Sequence, residues 1–301
     1  MRHVIDLLEL SAAEIARVFE ISLDLKSKLA AGSRQPLLPG HVMALIFEKP
    51  SLRTRVSFET AMMHLGGNTL FLGEDAGFGK RESIADFSRV LSSYVDVIVC
   101  RAFRHATVTT LAEHATCPVI NGLTDLAHPC QALADLLTLQ ELYGSLRGLK
   151  LAFVGDANNV ASSLAIACAK TGVQFSVAAP REYQFPESFL QQLRTIDPAA
   201  VPHQSTDPRE VVKGADAVYT DVWTSMGQES ERAERLQAFA SYQVNEALMR
   251  EAPNARFMHC LPAHRGEEVT DAVMDGPQSV VVQQAANRMH LQKGLLAWLL
   301  K

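Results

Sequence analysis

Short apolar runs alternating with longer amphipathic stretches limit what this chain can fold into more than any other feature. Runs of strand length lie at 42–47, 95–99, 118–120, 150–154, 174–178, 217–220, 255–259 and 279–282. Helical spacing fills the intervals. Phe58, Ala61, Met62 and Leu65, for example, recur at i, i+3, i+4 and i+7 before Gly66-Gly67 stops the helix. Strands joined by helical crossovers build parallel sheets, so the expected class is α/β. Near Tyr143-Gly144-Ser145 a helix that opens at Pro129 ends, and a new strand–turn–helix begins with KLAFVGDANNVASSLAIACAK. The expectation is two doubly wound parallel-sheet domains, 1–143 and 144–283, with the active site in the cleft between them. A last helix over 284–301 is expected to pack back on the first domain.

The unusual polar residues gather just after these runs: at 51–55, Arg101, 128–131, 158–159, 221–228 and 260–265. In open parallel sheets, ligands bind outside the carboxyl ends of the strands. Six clusters on that edge, from both halves, predict a single small-molecule site. The chain as a whole is acidic, with a formal net charge of −5, so positive charge for an anion must be local. The same balance argues against a nucleic-acid partner. Five cysteines, Cys100, Cys117, Cys130, Cys168 and Cys260, form no CxxC pair; this disfavours a disulfide framework or structural zinc and fits a reducing compartment. With no signal-peptide core and no long apolar segment, the expected localisation is cytoplasmic, without a membrane partner.

Each cluster has a chemical reading and a plainer one. Ser51-Leu52-Arg53-Thr54-Arg55 opens a helix, where unpaired backbone N–H groups, hydroxyls and guanidinium make an oxyanion or phosphate cradle. The plainer reading is an N-cap serine with arginines on a solvated face, and it suits Arg55 best. His128-Pro129-Cys130-Gln131 opens another helix, with Pro129 at a position that suits it. His128 and Gln131 share a face and could polarise a carbonyl and orient an attached amino group; His128 could equally be a cap, and Cys130 suits packing. Asn159 in the Gly155–Asn159 turn could bind an amino-acid head group, whereas Asn158 suits a cap; the turn lacks GxGxxG, which disfavours a dinucleotide. Asp221 ends a strand and could hold a cationic amine beneath a loop with Gly227 as hinge, or the loop could be a mere connector. His259-Cys260-Leu261-Pro262 suggests a metal, but the spacings match no standard zinc pattern.

Together these residues resemble the transcarbamoylase family, and its ornithine branch most closely. The matching elements are SLRTR at 51–55, Arg101, HPCQ at 128–131, NN at 158–159, DVWTSMGQE at 221–229, HCLPAHRGEE at 259–268 and NR at 287–288, in family order across nearly the whole chain. The resemblance implies transfer of a carbamoyl group from carbamoyl phosphate to the side-chain amine of L-ornithine, giving L-citrulline and phosphate within arginine biosynthesis. It implies no metal or organic cofactor, and a homotrimer. It assigns carbamoyl-phosphate binding to Ser51, Leu52 (through its backbone), Arg53, Thr54, Arg101, His128, Pro129, Cys130, Gln131, Cys260, Leu261 and Arg288. Ornithine falls to Asn159, Asp221, Ser225 and Met226, and the catalytic roles to Arg53, Arg101, His128, Asp221 and Cys260.

The chain departs from the family pattern in three places. Leu52 stands where Thr is usual, Gly77 where the ornithine branch has a Gln that reaches a neighbouring subunit, and Ala286 where a Glu precedes Asn-Arg. The alternatives these leave are a transcarbamoylase for an N-acylated ornithine or another amine, and a non-catalytic ligand-binding homologue.

Overall fold

A computed structural model of the protein describes residues 2–73, 78–79, 81–224 and 229–301. They divide into two compact units, one formed by Met1–Leu137 with Asn287–Lys301 and the other by Thr138–Ala286.

The first unit carries strands β1 (Val42–Phe47), β2 (Asn68–Leu72), β3 (Val97–Arg101) and β4 (Val119–Leu123), with helices α1 (Ala12–Ala30), α2 (Leu52–His64), α3 (Ile84–Leu91) and α4 (His105–His114). All pairings are parallel, in the order β2-β1-β3-β4. The chain therefore winds outward from β1 to β2 and then reverses, which puts the topological switch point between β1 and β3. β3 is buried along its whole length and β1 nearly so, which explains why both read as continuous apolar runs rather than alternating ones. Ala44, Ile46, Ile98 and Cys100 join Val108, Leu111 and Val119 in the apolar core of this unit. At the carboxyl end of β3 the register with β4 slips between Cys100 and Arg101. Such a bulge re-aims the side chain beside it, here that of Arg101.

Helix α5 (Pro129–Tyr143) spans the first division between units, and α12 (Val281–Leu300) spans the second. The carboxyl-terminal part of α12 lies close on α1. A Cβ on Gly294 would sit 2.0 Å from Ser22 Oγ, so only glycine permits that approach. Lys293 Nζ donates to the Leu25 carbonyl, and Lys26 Nζ donates to Asn287 Oδ1.

The second unit carries β5 (Lys150–Val154), β6 (Gln174–Ala178), β7 (His203–Ser205), β8 (Ala217–Thr220) and β9 (Arg256–His259) in the parallel order β7-β6-β5-β8-β9, with the switch point between β5 and β8. Its helices are α6 (Asn159–Thr171), α7 (Glu187–Ile196), α8 (Pro208–Val212), α9 (Arg232–Ala238), α10 (Glu246–Met249) and α11 (Asp271–Met274). Gly172, in the left-handed region at φ 77°, ends α6. The apolar core of this unit includes Val154, Val218, Trp223, Phe239 and Phe257.

Three differences from the sequence-based reading have physical causes. The run at 279–282 is not a strand: Ser279 makes one parallel bridge to Phe257, and α12 begins at Val281. Three valines are too short a run for periodicity to tell strand from helix, and here Val281 is buried while Val282 is 84% exposed, as on successive positions of a helix with one buried face. β2 has the exposed pattern of an edge strand, and β7 is only a three-residue edge strand, so neither presents a long apolar run. β3 and β4 end two and three residues later than expected, and the displaced end of β3 carries Arg101 into the sheet.

Candidate active site

In the first unit the carboxyl edge of the sheet gathers cations. Ser51 caps α2, its Oγ accepting from the Thr54 N–H at 3.4 Å, so the cap reading and the cradle reading describe one geometry. Ser51 Oγ also donates to Thr54 Oγ1 at 2.9 Å, and Arg288 Nη2 donates to the same oxygen at 2.8 Å. With both lone pairs taken, the buried Thr54 hydroxyl keeps its proton as a donor. Leu52 is 76% exposed, so its side chain adds nothing to this cradle and only its backbone can. Arg55 turns away to pair with Glu59 at 2.9 Å, its guanidinium 3.8 Å from the centre of the Phe71 ring.

Arg101 is buried at the end of β3, and its Nε has no hydrogen-bond partner among the described residues. Burial, and then the like charges of Arg288 and Arg53, lower its pKa to about 10, which still leaves it protonated at neutral pH. Three guanidiniums that repel one another make a site suited to a multiply charged anion. Nearby, burial and then Arg288 and Arg101 hold the His128 imidazole well below the usual histidine range. It is therefore neutral at pH 7 and can donate one N–H without bringing a further positive charge.

His128, Pro129, Cys130 and Gln131 are all buried at the start of α5. Gln131 Nε2 donates to Asp135 Oδ1 at 2.8 Å, one turn along. A carboxylate accepts only from the amide nitrogen, so Asp135 turns the Gln131 carbonyl the other way, and that Oε1 has no partner among the described residues. Cys130 packs: its Sγ lies 3.8 Å from the Asn121 carbonyl, and burial pushes its thiol up to about 12.

In the second unit a different set meets at the carboxyl ends of β5, β8 and β9. Asp221 is 8% exposed and held on three sides, with one acceptor position on Oδ2 still to spare: Oδ1 accepts from Cys260 Sγ at 2.9 Å and from the Val222 N–H at 2.8 Å, and Oδ2 accepts from Asn158 Nδ2 at 2.9 Å. Asn158 thus does two tasks, since its Oδ1 also accepts from the Val160 and Ala161 N–H groups as the cap of α6. Half-buried Asn159 is the first residue of α6. Asp156, in the same turn, pairs with buried Arg235 at 2.7 Å, and Arg235 also donates to the Trp223 carbonyl and to Glu231. Burial raises the Asp156 carboxyl against the lowering effect of that arginine.

Donor atoms of Asp221, His259 and Cys260 lie within 4.8 Å of one another, as do those of His264, Glu267 and Glu268. In the first group both imidazole nitrogens are committed. His259 Nδ1 accepts from the Leu261 N–H at 2.9 Å, which leaves Nε2 to donate to Glu268 at 3.1 Å. That imidazole has no lone pair to offer an ion. Ser225 and Met226, like Gly77 and Lys80, lie outside the described residues.

The described site residues named from sequence thus fall into two clusters, the candidate half-sites, each within its own unit: Ser51, Arg53, Thr54, Arg101, His128, Gln131 and Arg288 in one, Asn159, Asp221, Cys260 and Leu261 in the other. The carbamoyl-P binding domain model of aspartate/ornithine carbamoyltransferase matches residues 2–141, and the Asp/Orn binding domain model matches residues 147–299. The chain belongs to the aspartate/ornithine carbamoyltransferase family.

Within this family, an ornithine carbamoyltransferase of Anoxybacillus flavithermus is 51% identical over 99% of the chain and 96% of its own length. The anabolic ornithine carbamoyltransferase of Pyrococcus furiosus is 49% identical over 98% of the chain and 95% of its own length. Among solved structures, ornithine carbamoyltransferase from Pyrococcus furiosus superposes with a TM-score of 0.96 at 48% identity, covering 99% of this chain and 97% of that one. The anabolic enzyme of Campylobacter jejuni gives a TM-score of 0.93 at 33% identity, covering 99% of each chain.

Sequence reasoning missed Asp135 and found only one of the two roles of Asn158, the cap. Asp135 stands one helical turn beyond Gln131, a spacing that places the two side chains on one face. Asn158 was legible as a cap, but its amide had a second partner that only the fold supplies.

Proposed function

We propose that the chain is an ornithine carbamoyltransferase that moves the carbamoyl group of carbamoyl phosphate to the side-chain amine of L-ornithine, releasing L-citrulline and phosphate. The observation that carries this reading is the gathering of Arg53, Arg101 and Arg288 at the amino end of α2, with Arg101 and Arg288 also beside a neutral, buried His128. That set suits a phosphate bearing a small polar acyl group.

On this reading the α2 backbone N–H groups, Ser51, Arg53, Thr54 and Arg101 hold the phosphate. His128 and Arg288 donate toward the carbonyl oxygen, where negative charge grows as the amine attacks. The Gln131 carbonyl accepts from the carbamoyl NH2 group, an orientation that Asp135 enforces. Cys260 and Leu261 complete the donor contacts.

The acceptor must lose a proton before it can react, because a primary alkylamine has a pKa of about 10.4. Asp221 attracts the ammonium and receives its proton, while the Cys260 thiol, donating to Asp221, keeps that carboxylate in place; Asn159, Ser225 and Met226 bind the rest of the amino acid. The neutral nitrogen then attacks the carbonyl carbon, the bond from that carbon to the phosphate oxygen breaks, and phosphate leaves with the electron pair inside its cradle and takes up the second proton that the attacking nitrogen sheds.

The anabolic names of the Pyrococcus furiosus and Campylobacter jejuni relatives support a place in arginine biosynthesis. The proposed assembly is a homotrimer; exposed apolar side chains on α2 (Leu52, Val56 and Met63) and β2 (Leu70 and Phe71) support self-association without fixing the number of copies. The proposed location is cytoplasmic; no described helix is long and apolar enough to cross a membrane. The deciding experiment is a citrulline assay with L-ornithine against N-acetyl- and N-succinyl-ornithine. Turnover of the free amino acid is expected, and turnover of only an acylated one would overturn the reading.

A further inference from the structure

Behind the acceptor half-site lies a buried pair that the mechanism above does not use. The side chains of His259 and Glu268 are both 0% exposed, and they meet through Nε2 and Oε1 at 3.1 Å. The same Oε1 accepts from the His264 N–H at 2.6 Å, so one oxygen ties the end of β9 to the far side of the loop that leaves it. The glutamate is itself anchored: the Val244 N–H donates to its carbonyl at 2.8 Å, and a bridge joins Val244 to the adjacent Val269. Its second oxygen, Oε2, is buried with no partner among the described residues. A buried carboxylate left partly unsatisfied is a poor stabiliser, so its value must lie in what it orients.

What it orients is the backbone beside the thiol. With Nε2 donating to Glu268, His259 Nδ1 is the acceptor that takes the Leu261 N–H at 2.9 Å. Leu261 is the one non-glycine residue with positive φ among the described residues, at 61°. L side chains rarely adopt that region, and they stay there only where surrounding contacts demand it. The bond from His259 is such a contact. It sets the turn in which Cys260 projects its Sγ to 2.9 Å from Asp221 Oδ1.

We infer that Glu268, acting through His259, is a positioning residue for the acceptor half-site: it holds the Cys260–Leu261 turn so that the thiol meets Asp221. The role rests on the ornithine reading proposed above.

The test compares Glu268→Met, which keeps bulk but loses the acceptor, with Glu268→Gln, which keeps one oxygen for both donors. Two readouts are taken on the full-length protein: steady-state kinetics, and the rate at which iodoacetamide alkylates Cys260, followed by mass spectrometry. The other four cysteines are buried, so this thiol is distinguishable. E268M should raise KM for ornithine about tenfold or more, as misplacement of a binding group does, with KM for carbamoyl phosphate nearly unchanged. Its Cys260 alkylation rate should shift several-fold. E268Q should match the parent in both. A folded E268M with the parent's ornithine KM and alkylation rate would overturn the assignment, as would an E268Q as impaired as E268M. Should E268M not fold, Glu268→Asp, too short to serve both donors, carries the same comparison. If the parent makes no citrulline from any ornithine, the functional reading fails, whereas the alkylation rates still decide whether Glu268 positions Cys260.

Discussion

Thr54 and Arg288 are 234 positions apart in the chain and share a buried hydrogen bond of 2.8 Å. The bond fastens the first turn of α2 to α12, and it sets the angle at which the guanidinium enters the proposed phosphate cradle. Arg288→Lys retains the charge but not the planar fork that serves Thr54 and a ligand together. KM for carbamoyl phosphate should rise roughly 10- to 100-fold, as for loss of a charge-assisted hydrogen bond, with the ornithine KM nearly unchanged. Thr54→Val should give a smaller change in the same direction. Steady-state kinetics with each substrate varied in turn checks both.

Asp135 makes a more selective prediction. Asp135→Asn can either donate to or accept from Gln131, so the amide is no longer held one way round. Activity with carbamoyl phosphate should fall about tenfold, whereas the affinity for inorganic phosphate, measured by calorimetry, should stay the same because the lost contact faces only the carbamoyl NH2 group.

Asn158 combines a cap with a contact to Asp221, and two substitutions separate them. Asn158→Asp caps α6 as well as asparagine does but sets a second negative charge beside Asp221. Asn158→Ala removes both functions and should cost about 1 kcal/mol of stability from the cap. Ornithine KM should rise in both variants, and only the alanine variant should unfold at distinctly lower urea.

The burial of His128 makes stability depend on pH with a definite sign. Its folded pKa lies well below 6.5, so above pH 6.5 neither folded nor unfolded chain carries the proton. Below that value the unfolded chain binds it first, and stability falls as pH drops, by up to about 1.4 kcal/mol per pH unit for one proton. His3 and His64, also depressed by burial, act in the same direction. Urea midpoints between about pH 7.5 and 5.5 should therefore decline, and His128→Gln should flatten the decline by about one proton's share.

The sheets were legible because their central strands read as short, mainly apolar runs: β1, β5, β6 and β8 fall where those runs predict. β2 and β7 were not, since an edge strand needs no apolar face on both sides. The polar residues at strand ends were legible one by one as anion-binding or cap-forming types. Their partnerships were not, because each depends on distance through space. No spacing rule links Thr54 to Arg288, and none assigns the second oxygen of Asp221 to Asn158. The bulge that aims Arg101 leaves no mark in composition either; it arises where two strands lose step.

The unit that holds the cationic half-site is discontinuous along the chain, being completed only by Asn287–Lys301. On the ribosome, residues 2–137 emerge with Arg53, Arg101 and His128 but without Arg288. A nascent chain therefore cannot close its phosphate cradle until translation has passed through the whole of the other unit. Chains that stop anywhere in that stretch lack Arg288 and the last part of the first unit, and should bind carbamoyl phosphate more weakly than the full chain.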